Sequence, residues 1–112
     1  MQDFEQLKSQ VDLLQYHQRL LVQLVGNPSL EFHRLIIESG LSETETKSFY
    51  DLCDRLNKKL AEQKAEGYVY FHPLFEELIF SLPSSLDARK AAKACIAQDL
   101  YKPLFEELSK YM

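Results

Sequence analysis

Apolar residues return at alternating steps of three and four along the first part of the chain. Phe4, Leu7, Val11, Leu14, Leu21 and Val25 form the series, and Gln18 stands in it as one polar intruder. That spacing predicts a helix over residues 3–25 with a heptad seam along one face. Leu13, Leu20 and Leu24 make a second apolar stripe beside the first. One stripe is enough to dock a helix on its own domain. Two stripes point to a helix that also faces something else, most economically a copy of itself, and a polar seam residue is a known device for fixing register. The competing reading makes both stripes internal core, since three heptads are a short coiled coil.

Gly26-Asn27-Pro28 reads as a stop followed by a new start: glycine past the end, asparagine as cap, proline at the first helical position. A second helix is predicted from Pro28 to Ser39, carrying Leu30, Leu35 and Ile36 on one side. Gly40 closes it. Ser42 with Glu45 is a capping box that opens a long central helix over 43–66. Phe49, Leu52, Cys53, Leu56 and Leu60 share one of its faces. Gly67 is placed to end it in the left-handed conformation. At 1.5 Å per residue this helix spans roughly 36 Å, about the width of a small domain, and the remaining helices are expected to pack around it.

Tyr68-Val69-Tyr70-Phe71 is the only strand-like text, and four residues without a partner strand cannot form a sheet. It reads as an extended connector whose aromatics pack on the helices. Further helices are predicted over 73–82, over 88–98 with Asp87 as cap and a run of alanines suited to close packing, and over 101–110. Pro73-Leu74-Phe75-Glu76-Glu77-Leu78 recurs as Pro103-Leu104-Phe105-Glu106-Glu107-Leu108. The surroundings of the two copies do not match, so the repeat reads as two good helix starts with proline first. The pattern as a whole predicts one all-α domain of about six helices: an amphipathic N-terminal helix (1–26) and a helical core (27–112).

Composition narrows the function more than it defines it. The 112 residues are 46% hydrophobic and 27% charged, enough for a core without disulfide or metal. The net charge of −4 argues against nucleic acid and anionic membrane as partners. The start of the chain lacks the basic and apolar regions of a secretory signal, and no apolar run approaches a membrane span. Cys53 and Cys95 stand alone within helical patterns, as buried reduced thiols of a cytoplasmic protein would.

Candidate chemistry is thin. Nucleophilic catalysis would need a Cys or Ser joined to a His and an orienting acid, and no local signature joins either cysteine to His17, His33 or His72. No metal-ligand spacing and no phosphate-binding glycine loop occurs. The expectation is therefore no catalytic residue, no metal and no cofactor. Leu35–Thr44 scans like a helix-turn-helix. Against that reading, Glu43 and Glu45 would face phosphates, the following helix is too long, and Ile36 stands where a small residue is usual. A DNA-binding regulator using Gly40–Ser48 is kept as the alternative function, ahead of a small-ligand-binding or enzymatic role.

One further set of residues resembles a known family. Gly40-Leu41-Ser42 with Glu45, Cys53-Asp54, Leu56, Leu60-Ala61, Gln63-Lys64-Ala65, Gly67, Val69, Phe71, Leu86-Asp87, Gln98 and Leu100-Tyr101 are similar to the YhaI-like family of Bacillus-type proteins, grouped as a domain of unknown function. The resemblance covers about residues 35–112. It implies an all-helical array and brings no activity, cofactor or site residue. Asp99 stands where the resemblance leads one to expect a turn glycine, and aspartate tolerates that conformation. The expected function is that of a cytoplasmic, non-enzymatic interaction protein that self-associates, as a dimer first of all, through Phe4, Leu7, Val11, Leu14, Gln18, Leu21 and Val25. A further protein partner stays open.

Overall fold

Gly40, at φ +71°, ends the short helix α2 (Glu31–Ser39) in the left-handed conformation. The chain then turns so that Leu41 drops into the core with no exposed surface. The backbone N–H of Leu41 donates to the Ile36 carbonyl at 3.1 Å and that of Gly40 to Ile37 at 3.2 Å, which satisfies carbonyls the helix leaves open. Ser42 then caps α3 (Glu43–Ala65). Its hydroxyl accepts from the Glu45 N–H at 3.1 Å, and the Glu45 carboxylate accepts from the Ser42 N–H at 3.0 Å. The capping box is present as the sequence predicts.

The remaining elements of the computed structural model, which describes residues 2–112, are α1 (Gln2–Gly26), α4 (His72–Ser81), α5 (Ala88–Ala97), α6 (Lys102–Leu108) and a 3-10 turn, Ser109–Tyr111. No strand occurs among the described residues. The protein is a single all-helical array. Phe49, Leu52, Cys53, Leu56 and Leu60 of α3 are all buried, as their shared face predicts, and Thr46 joins them with its hydroxyl donating to the Ser42 carbonyl at 2.8 Å. Helix α3 packs against α4 and α6, whereas α2 packs against α1 and α5, and α5 also meets α6. The small face of α5 (Ala91, Ala92, Ala94 and Cys95, all buried) permits that close approach.

The repeated hexapeptide does the same structural job twice. In α4 and α6 the proline lies in the first turn, and both leucines of each copy (Leu74 and Leu78, Leu104 and Leu108) are buried. The first glutamate of each copy pairs with the residue four back, Glu76 with His72 at 3.1 Å and Glu106 with Lys102 at 3.9 Å. The second reaches a cation of α3: Glu77 lies 3.1 Å from Lys59 and 3.4 Å from Arg55, and Glu107 lies 3.4 Å from Lys64. The second glutamate of each copy thus ties its helix to α3.

Three expectations need correction. Gly26 belongs to α1 rather than following it, and α2 begins at Glu31, not at Pro28. The Asn27 carboxamide is spent on a local turn, accepting from the Ser29 N–H at 3.2 Å and the Ser29 hydroxyl at 2.6 Å. Of the connector residues, Phe71 is buried beneath the Lys64 ammonium, but Tyr68, Val69 and Tyr70 are exposed. The turn before α6 holds two left-handed residues, Asp99 (φ 60°) and Tyr101 (φ 51°). The Tyr101 hydroxyl donates to the Asp54 carboxylate at 2.7 Å, which holds that unusual conformation against α3.

Candidate interaction surface

Helix α1 docks by one of its two stripes and leaves the other in solvent. Leu20 and Tyr16 are buried, and Leu13 and Leu24 are half-buried. Three polar ties, all within residues 17–23, then fix the rotation of the helix about its axis. The His17 Nε2–H donates to the Leu41 carbonyl at 2.8 Å. The Arg19 guanidinium pairs with Glu43 at 3.0 Å. The Gln23 carbonyl oxygen accepts from the His33 Nε2–H at 2.7 Å. The other ring nitrogen of His33 accepts from the Gln98 amide at 3.1 Å, so the relay runs from α1 through α2 to α5.

With that rotation fixed, the heptad seam points away from the body. Its six apolar members are exposed, from 44% at Val11 and 47% at Leu21 to 81% at Val25, and Gln18 is exposed among them. Val22, at 68%, extends the same face and was not part of the seam read from the sequence. The signal for it was its place beside Leu21 and Val25, one step off the seam. Large apolar side chains are thus gathered on one face of α1 and left in solvent. The body covers the face centred near Leu20, roughly 150° round the axis from the middle of the seam at about 100° per residue.

The other candidate chemistry does not assemble. Cys53 and Cys95 are free and fully buried. Burial pushes both thiols up, Cys95 to about 12, and for Cys53 the neighbouring Cys95 and Asp54 add to it. Neither is available as a thiolate nucleophile. His17 and His33 are committed to the ties above, and His72 stacks among Tyr70, Phe75 and Tyr111 while meeting Glu76. Among the described residues no group of three His, Cys, Asp or Glu is placed to hold a metal, and no helix is long and apolar enough to cross a membrane. The Gly40–Ser48 segment is the turn from α2, closed by Gly40, and the capped start of α3. The first turn of α3 presents Glu43, Thr44 and Glu45 to solvent, and Arg19 neutralises part of that charge from α1.

The sequence profile of a family described as "Protein of unknown function (DUF1878)" matches residues 4–112, so the chain belongs to that family. The match takes in the whole exposed face of α1 together with the body it is docked on.

Proposed function

We propose that this member of the DUF1878 family is a non-enzymatic interaction protein that self-associates through the exposed face of α1. The observation that carries the reading is the seam itself. Three hydrogen-bonded ties and a separate buried stripe turn Phe4, Leu7, Val11, Leu14, Leu21 and Val25 outward together. A helix held only for its own domain would need the second stripe alone. The seven exposed apolar side chains of this face, at ~100 Å² each, offer roughly 700 Å² per chain, near the ~800 Å² that each partner buries in a standard stable interface. A second copy supplies a matching seam with no new surface required, because a two-fold interface uses the same patch twice.

Within the family we group the chain with the YhaI-like proteins. The left-handed φ at Asp99, where that resemblance leads one to expect glycine, supports the grouping. A cytoplasmic location fits the two reduced, buried cysteines and is part of the same reading.

The test is the paired substitution Leu14→Glu with Leu21→Glu, followed by sedimentation equilibrium. Both side chains face solvent, so the body should fold unchanged by circular dichroism while the assembly falls to a monomer. An assembly that survives both carboxylates would remove the seam from the interface.

A further inference from the structure

Resting on that reading, we infer that the two copies of α1 lie parallel and in register, and that Gln18 is the residue that selects this arrangement. In heptad lettering the seam places Phe4, Val11, Gln18 and Val25 at a positions and Leu7, Leu14 and Leu21 at d positions. Leucine fills every d, and the two aliphatic residues at a are β-branched valines. That distribution favours two parallel strands over three or four.

Gln18 separates parallel from antiparallel. In a parallel pair each a residue meets its own counterpart, so the Gln18 carboxamide lies beside Gln18 of the second copy. The carbonyl oxygen of one can accept from the amide N–H of the other. In an antiparallel pair a residues lie opposite d residues, and Gln18 meets Leu7 or Leu14 in the two registers that keep the seams overlapped. Two carboxamides would then be covered by leucine without partners, each weakening the assembly by roughly tenfold or more.

The flanking charges agree. Asp3 occupies a g position and Lys8 the following e position. In the parallel pair the carboxylate of one chain approaches the ammonium of the other across the seam, and in either antiparallel register neither charge meets its opposite. The ties fall at g (His17), b (Arg19) and f (Gln23), so the body sits to one side of the seam and leaves the a and d side chains exposed.

Cysteine linkage reads the orientation directly, because the native Cys53 and Cys95 have no exposed surface and the introduced thiol reacts alone. Light scattering is run first on the full-length Leu7→Cys and Val25→Cys variants under reducing conditions, and mild oxidation follows. The parallel arrangement predicts that each variant links to itself at both ends of the helix. An equimolar mixture, after subunit exchange, should give no 7-to-25 product. Self-linkage absent and the mixed 7-to-25 or 7-to-18 product (the latter with Gln18→Cys) present in a particle of dimer mass would overturn the parallel arrangement and leave self-association standing. A monomer at every concentration would overturn both. Gln18→Leu supplies the second test: it should keep or tighten the assembly while both kinds of linkage appear on the same cysteine backgrounds. A single parallel population retained in Gln18→Leu would remove Gln18 as the selecting residue.

Discussion

The Gln98 carboxamide closes the N-terminal end of α2, its oxygen accepting from the N–H of Phe32, 66 residues earlier, at 2.8 Å. The same oxygen lies 3.3 Å from the His33 nitrogen, and the amide group donates to the His33 ring. Leu30, at the cap position of α2, offers no side-chain acceptor of its own. A residue from the end of α5 therefore does what a local Ser or Asp does elsewhere, and in doing so joins α5 to α2 and, through His33, to α1.

Replacing Gln98 by alanine should cost about 1–2 kcal/mol, the usual worth of a lost helix cap, because two backbone donors are left without their acceptor. Gln98→Glu keeps an oxygen at the positive end of the helix and should lose less. Urea unfolding of the three proteins checks both statements, and equal losses for alanine and glutamate would show that the cap is not what Gln98 contributes.

Much of this fold was legible in the chain, and the misses share a cause. The capping box at Ser42 and Glu45, the left-handed stops at Gly40 and Gly67, the cap at Asp87 and the buried face of α3 are all local signals, written within a few residues of where they act. The start of α2 was misplaced because its cap comes from Gln98, which no window along the sequence can see. The exposed seam of α1 was visible as a heptad series. Which stripe faced outward was not, since that depends on His17 meeting Leu41 and Gln23 meeting His33 across the fold.

The glycines should divide by conformation. Gly40 is at φ +71° and a Cβ there would meet nothing within 4 Å, so Gly40→Ala should cost about 1–2 kcal/mol through the backbone alone. Gly26 is helical, without a positive φ and with equally open space, so Gly26→Ala should gain about 0.5 kcal/mol. Thermal unfolding gives both signs in one experiment, and shifts of the same sign would contradict the assignment.

The two thiols should be silent in the native protein. Burial raises both, so at pH 8 a thiol reagent should modify neither within the time that modifies both in urea. Rapid native labelling of one thiol would mean that the helix carrying it opens locally.

Glu107 should give the protein a weak acid-side dependence. Its carboxyl is held below its ordinary 4.5 by the hydrogen bond from Lys110 first and by the Lys64 ammonium with it, against an opposing push from burial. A depressed carboxyl stabilises the fold above its unfolded value and loses that contribution as pH falls through the folded one. The difference in stability between the protein and Glu107→Gln should therefore be largest near neutrality and vanish in acid. A difference that grew on acidification would reverse the sign and refute this placement of the charges.

The central claim is that the outward seam of α1 is covered by a second copy of this protein. The direct measurement is absolute mass by light scattering behind a sizing column, over a concentration series from micromolar upward. The account predicts about twice the 13.1 kDa of one chain, with dissociation on dilution and upon Leu14→Glu with Leu21→Glu. A mass of one chain at every concentration would contradict it.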